Sequence, residues 1–340
     1  MENNVNHETL VRYYEEYEDN TQSSRERSEK NRDYYDNKQW TSEEISALQA
    51  RKQPVITFNL VKRTIDALLG LEKESRTDPK ALPRTPKHEK DAEAATDALR
   101  YVVDNQDFDQ IASNGFQNLL LEGVEGADVY VKEKGSQLEV CVDFTEWDRM
   151  FYDVHSRRKD FSDAKYFGIV IWMDHEDAKA KYGDSEALSH AININEHNND
   201  THEDKPSYKW NDIQRGRVKI CFINYKVGSD WHYAHFTKSG ILKGGTKSPY
   251  LDEHGDSEPQ LAFQSAFVDR DGNRYGYAST LISPQDEVNK RRSKALHLIN
   301  QRQTFGNKQT GIDTQKVKQE MAKPDGHIDM QHGQFGTDFG

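Results

Sequence analysis

The spacing of apolar residues changes period twice along this chain, and that change limits the folds open to it. Up to about residue 122 apolar positions recur at steps of three and four. From about 126 to 275 they alternate or run together in short stretches, and from about 284 the helical step returns. Helices gathered at the two ends around a strand-rich middle argue against alternating βαβ units and a doubly wound nucleotide-binding sheet. An α+β fold is expected instead.

Within the helical front, Leu10, Val11, Tyr14 and Tyr17 predict one or two helices over 8–38, lying on a neighbouring surface, with a break around Lys52-Gln53-Pro54. In ITFNLVKRTIDALLGLEKESR, residues Phe58, Val61, Ile65, Leu68 and Leu69 share one face, and Asn59 is placed as the N-cap. Pro79, Pro83 and Pro86 make DPKALPRTPK an extended connector. Two helices follow over 87–105 and 107–122. The first turns Ala92, Ala95, Leu99, Val102 and Val103 toward a core; the second turns Phe108, Ile111, Phe116, Leu119 and Leu120, and stops near Gly123.

In the middle, ADVYVKEKGSQLEVCVDF reads as a hairpin with Val129 and Val131 facing Leu138, Val140 and Val142. Short strands and loops over 148–173, a helix over 175–182 and a polar surface loop over 189–212 come next. RVKICFINYKV and DWHYAHFTKS then form a second hairpin turning at Gly228-Ser229-Asp230. The resulting division is 1–52 (charged helical segment), 53–125 (helical, with connector 78–86), 126–281 (strand-rich), 282–305 (late helix) and 306–340 (polar tail).

Composition narrows the classes of function. With 34% hydrophobic and 31% charged residues and a mean hydropathy of -0.99, the chain is less oily than a self-sufficient monomer of its length; partner subunits or a missing partner segment would supply part of its stability, and a soluble protein with long charged helices gives the same numbers equally well. A formal net charge of -12 argues against a dedicated DNA-coating module, whose affinity comes from neutralising phosphate. Cys141 and Cys221 sit in apolar strand-like segments and read as buried thiols of a reducing compartment. No apolar run approaches the ~20 residues of a membrane helix, and the acidic start MENNVNHETLVRYYEEYEDN lacks the features of a signal peptide.

Chemistry-bearing motifs are scarce. GILKGGTKS (240–248) spaces Gly240 and Gly245 like a phosphate loop, but Thr246 stands where lysine is required and Lys247 falls one place late, so a turn is expected there. His232 and His235 project to opposite faces of a strand. His197, His202, Glu203 and Asp204 lie in the polar loop and could meet a divalent ion, although a solvated loop is the simpler reading. Glu15, Glu16, Glu18 and Asp19 suit a solvent-facing or partner-facing helix surface. No catalytic, cofactor-binding or metal residue is assigned, and no cofactor is expected.

The late helix is the segment whose charge pattern asks for an explanation. Lys290, Arg291, Arg292, Lys294 and Arg302 stand against Asp286 and Glu287 inside an acidic chain. Lys290, Lys294, His297 and Gln301 gather on one side, with Arg291 and Arg302 on its flank; Val288, Ala295, Leu296 and Ile299 occupy the other, with Arg292 as the exception. Both acids are expected in the first turn and Arg302 in the last, as the helix dipole prefers.

Three strings, RERSEKNRDYYDNKQWT (25–41), PVITFNLVKRTIDALLGLEKESRTDPKALPR (54–84) and ISPQDEVNKRRSKALHLINQRQ (282–303), in that order, resemble the P22-like family of tailed-phage portal proteins over roughly 8–305. The resemblance implies a portal fold, with a helical and mixed-strand wing over 8–280 leading into a stem helix at 284–303. It also implies a ring of about twelve subunits at one capsid vertex, a structural role without catalysis or cofactor, and a place in the virion and, during assembly, in the host cytoplasm. Implied partners are the terminase large subunit, scaffold and major capsid protein, a head-completion or tail adaptor protein, and double-stranded DNA passing without sequence specificity; no membrane is involved. Lys290, Arg291, Arg292, Lys294 and Arg302 become a basic channel or stem face, turned to DNA, the terminase or the adjacent helix, and Val288, Ala295, Leu296 and Ile299 a stem packing face. Family members run to about twice this length, so the clip, second stem helix and crown are expected to be missing or incomplete, as in a fragment, truncated product or prophage remnant. The competing readings are another phage head structural or adaptor protein, forming small oligomers, and a metal-dependent hydrolase using the His197/His202 loop.

Overall fold

A computed structural model describes residues 5–135, 137–193, 209–213, 215–300 and 314–321. In chain order the helices are α1 (His7–Asn20), α2 (Gln22–Tyr35), α3 (Ser42–Ala50), α4 (Leu60–Glu74), α5 (Glu89–Asn105), α6 (Phe108–Leu121), α7 (His175–Tyr182), α8 (Glu186–Ile192), α9 (Ile282–Asn300) and α10 (Thr314–Met321). The strands are β1 (Val124–Lys134), β2 (Gln137–Thr145), β3 (Met150–Tyr152), β4 (Tyr166–Asp174), β5 (Asn211–Asp212), β6 (Arg217–Val227), β7 (Asp230–Thr237), β8 (Gly240–Lys247), β9 (Leu261–Ser265), β10 (Phe267–Val268) and β11 (Arg274–Tyr275). Helices at both ends around a stranded middle make the fold α+β, as the changing period predicts. Two compact units emerge: Met1–Lys38 with Asn59–Ser283, and Gln39–Phe58 with Pro284–Gly340.

The first unit is organised around β6. An antiparallel sheet runs β3-β4-β6-β7-β8, with β5 pairing the outer part of β6. From Val218 to Tyr225 every residue of β6 is buried. That is why ICFI (220–223) reads as an unbroken apolar run: both faces of the strand are covered. Val218 and Ile220 pack with Ala178 of α7 and with Leu188 and Ala191 of α8.

The opposite face receives α1, whose Leu10, Tyr14, Tyr17 and Glu18 form the buried stripe. Tyr14 meets Phe151 and Trp210 edge-on, each at 5.3 Å between ring centres, and Tyr13 stacks on Tyr166 at 4.2 Å. Lys219 is fully buried; its ammonium donates to the Tyr14 hydroxyl at 3.0 Å and lies 5.0 Å from the Trp210 ring centre. Aromatic packing and a cation over rings thus fasten α1 to the strand.

A second sheet runs β2-β1-β9, and β10 with β11 closes a small ribbon. The β1–β2 register pairs Val129 with Val142 and Val131 with Val140, the predicted hairpin. Helices α4 and α6 form their own core, with Val61 and Ile65 against Leu120, Leu121 and Ala278. Asn59 caps α4 as expected, accepting from the Lys62 N–H at 2.9 Å. Gly123 ends α6 at φ +88, and a Cβ there would strike the Tyr275 carbonyl, so only glycine fits.

Several expectations need correction. The face of α5 predicted to point inward is only partly covered: Ala92, Val102 and Val103 are half-buried, Ala95 and Leu99 are exposed, and the buried residue is Thr96. Helical periodicity shows that a stripe exists, not that this chain covers it. GILKGGTKS is a strand rather than a turn. It forms the edge β8, bulged where Gly244 adopts φ +91 against the Tyr233 carbonyl. The stretch 189–212 is not all surface loop, because α8 runs into it and Trp210, at its far end, is buried. Cys221 is buried, and burial pushes its thiol up to about 12, whereas Cys141 is only half-buried; both are free.

Burial raises the carboxyl pKa values of Glu122, Glu125 and Asp128 in this unit, the first two furthest above their ordinary range. Burial pushes Glu122 up to about 8 even though Arg32 sits 2.7 Å away, and burial alone pushes Glu125 up to about 7. A carboxyl raised on folding contributes stability fully present below its unfolded pKa and lost as pH rises through the folded value. Stability should therefore fall between about pH 5 and pH 8. Glu125→Gln should flatten that slope and raise stability by about 1–2 kcal/mol at pH 8.5, discounted for partial exposure, with no effect near pH 4. Urea midpoints of the two proteins across this pH range measure the difference.

Candidate functional site

The second unit is built on the late helix. α9 starts at Ile282, two residues before the expected Pro284, so the proline falls in the first turn, where no hydrogen bond is lost. Its buried residues are Gln285, Asn289 and Ser293, each 2% exposed and spaced one turn apart. These polar side chains meet the backbone of the segment before Asn59. The Phe58 N–H donates to Asn289 Oδ1 at 3.0 Å, Gln285 Nε2 donates to the Phe58 carbonyl at 2.9 Å, and the Ile56 N–H donates to Ser293 Oγ at 3.1 Å.

The match is one of period. Four residues along a helix rise about 6 Å, and two residues along an extended chain advance about 6.6 Å, so alternate peptide groups meet successive turns. The side chains of α9 supply what a neighbouring strand would otherwise supply to residues 56–58. Asn289 Nδ2 also donates to Gln39 Oε1 at 2.6 Å, and the Trp40 indole N–H donates to the Ile56 carbonyl at 3.2 Å. Between these anchors lies α3, started by a capping box in which Thr41 and Glu44 satisfy each other's backbone N–H groups.

α9 therefore has three stripes, not two. The polar ladder occupies one, and Val288, Ala295 and Ile299 lie roughly 100° around from it. Val288 is half-buried; Ala295, Leu296 and Ile299 are exposed, Ile299 at 79%. On the basic stripe, Lys290 reaches Glu44 at 3.6 Å, and Arg291 pairs with Glu287 one turn back. Such exposed pairs contribute little to stability. Arg292 and Lys294 are exposed and make no ion pair among the described residues. Arg302 lies outside the described residues. With the helix beginning at Ile282, Asp286 and Glu287 fall in its second turn, so the expected charge–dipole match at the start is absent.

The other candidate chemistry does not assemble. His232 lies beside Tyr225, while His235 stacks on Phe222 with ring centres 4.6 Å apart. The Tyr182 hydroxyl lies 3.0 Å from His235 Nδ1, and burial with the nearby Lys181 and Lys243 pushes this imidazole down to about 3. His197, His202, Glu203 and Asp204 lie outside the described residues, and among those described no His/Cys/Asp/Glu group could hold a metal. Likewise, no helix among them is long and apolar enough to cross a membrane.

A family model, that of the phage P22-like portal protein, matches residues 11–337. The chain belongs to that family. A portal protein of Helicobacter pylori bacteriophage KHP30 is 21% identical over 188 residues, which cover 52% of this chain and 31% of that relative's own length. The portal resemblance of the three strings is thus borne out. The polar ladder went unread, since Gln285, Asn289 and Ser293 were assigned to neither side of the helix, although their i, i+4, i+8 spacing is plain in the sequence. The Thr41–Glu44 capping box was equally legible.

Asn289→Leu should leave the Phe58 N–H without its acceptor, at a loss of about 1–3 kcal/mol for a buried orphaned group. Hydrogen exchange should show faster exchange of the Ile56 and Phe58 amides, with β6 unchanged.

Proposed function

We propose that this chain is a structural subunit of a portal ring at one capsid vertex, through which double-stranded DNA is packaged and later ejected. The observation that carries the proposal is α9: its own chain engages a polar stripe and leaves both the apolar and most of the basic stripe exposed. In a closed ring each exposed side chain is repeated around the axis, so a few lysines and arginines become a collar. Val288, Ala295, Leu296 and Ile299 would then pack on neighbouring stem elements, and Lys290, Arg291, Arg292, Lys294 and Arg302 would border the channel. Residues 53–125 and 126–281 would form the wing, 282–305 the stem helix, 1–52 a helical segment ahead of the wing, and 306–340 a tail after the stem.

A net charge of -12 suits a conduit past which DNA slides, since strong attraction along its length would hold the duplex in place. On this reading the ring meets the terminase large subunit, scaffold and major capsid protein during assembly in the host, and a head-completion or tail adaptor protein in the virion.

Native mass spectrometry and negative-stain microscopy across a concentration series test the ring directly. Rings of about twelve copies with a central hole are expected, and a monomer at every concentration would refute the reading. Reversing charge at Lys290, Arg291, Arg292 and Lys294 together should block DNA packaging or ring assembly while leaving the circular dichroism of the subunit unchanged. Normal packaging by such a ring would remove the basic stripe from the mechanism.

A further inference from the structure

We propose that neighbouring copies of this chain meet head to tail through two different surfaces of the first unit. One is apolar with an acidic rim, formed by α5 and the tip of the β1–β2 hairpin; the other is basic and aromatic, formed by residues 155–165 and β10. The inference rests on the ring reading and assigns the surfaces that would close it.

The first surface is apolar area that the chain itself leaves open. Tyr101 is 69% exposed and Leu138 73%, and Leu99, Val131 and Val140 are exposed beside them. A furrow of about 460 Å³ separates α5 from β2, walled by Ala98, Tyr101, Val102, Leu138 and Val140. Its surroundings are acidic. α5 carries Glu89, Asp91, Glu93, Asp97 and Asp104 against Lys90 and Arg100, while on the hairpin Glu133 and Glu139, the latter lining the furrow, are matched by Lys132 and Lys134, so the acidic excess comes from α5. An exposed patch of this kind marks a contact surface more readily than a free one.

The second surface lies at the other end of the same sheet. The register pairs Val124 with Ser265 at the base of β1 and Glu133 with Leu138 near its tip. Nine residues of strand place the two ends about 30 Å apart. At the base, the Ser265 N–H donates to the Lys159 carbonyl at 2.8 Å, and the Lys159 ammonium lies 5.2 Å from the ring centre of Phe267, itself 39% exposed. Arg157, Arg158, Lys165 and Arg270 are exposed in the same region, with Lys226 reaching the Ser162 carbonyl. These cations outnumber Asp160, Asp163, Asp269 and Asp271, and the Asp163 and Asp269 carboxylates already accept N–H groups of their own loops.

Two unlike surfaces at opposite ends of one rigid sheet do not satisfy each other in a two-fold dimer. Each copy offers its acidic furrow to the basic end of the next, and such a contact repeats until the rotation closes. The chemistry selects a second copy as the occupant: apolar and aromatic area is present on both sides, with charges of opposite sign around it.

Cysteine cross-linking of the full chain in a Cys141→Ser background tests the pairing. Leu138→Cys with Phe267→Cys in one chain should give, on oxidation, a ladder running past the dimer, and each single variant should give none. Dimers from Leu138→Cys alone would mean a two-fold contact and overturn the proposal. In parallel, Tyr101→Asp with Leu138→Asp should raise the concentration needed for assembly about tenfold or more. Asp97→Lys with Asp104→Lys should do likewise, and adding Arg158→Glu with Lys159→Glu should restore assembly. Rings of wild-type mass, indifferent to all these changes and never cross-linked, would refute these surfaces while leaving the ring intact. A wild-type chain that stays monomeric would refute the ring itself.

Discussion

Double-sided burial of β6 is the constraint on which the first unit depends. A strand whose eight central residues are all buried needs a cover on each face, and the chain supplies those covers from distant segments: α7 and α8 on one side, α1 on the other. The cover from α1 is fastened by Tyr14, which meets Phe151, Trp210 and Lys219 at once. Because α1 is among the first elements of the chain and β6 lies two hundred residues later, this core closes only after most of the unit has been made. Long-range closure of this sort slows folding and makes the unit cooperative.

Much of this was legible. Wherever a periodic stripe ended on a residue with a strong local preference, the element appeared as expected: Asn59 before α4, Gly123 after α6, and the Val129–Val142 and Val131–Val140 pairs across the hairpin. In such places local chemistry and the wider fold ask for the same residue. What failed was the inference that every apolar stripe finds a full cover within the chain. The stripe of α5 is real, yet Ala95 and Leu99 on it stay exposed and Ala92, Val102 and Val103 are only half-buried. Spacing records which residues share a face and says nothing about what lies opposite. The bulged strand at Gly244 and the buried Trp210 were missed for a related reason: glycine and polar neighbours signalled a loop locally, and pairing with β7 or burial against α1 overrode them.

The sequence of the late helix shows only part of the pattern that the structure displays. Charge and apolarity divided α9 into two sides, because those properties dominate a helical wheel. The third side is polar and uncharged, and it is the one that the chain buries. A stripe of glutamine, asparagine and serine looks like solvent-facing surface in a sequence. It becomes interior only when a segment far away presents bare peptide groups at a compatible period, here residues 56–58. This arrangement leaves most of the other two sides of α9 exposed.

The ladder between α9 and residues 56–58 also has an evolutionary corollary. On the segment side every bond is made by main-chain N–H or carbonyl, so Val55 to Phe58 can drift in identity as long as they stay extended. On the helix side every bond is made by a side chain, so selection is expected to hold Gln285, Asn289 and Ser293. Divergence along this seam should be lopsided: a permissive rail of backbone against a fixed comb of amide and hydroxyl groups.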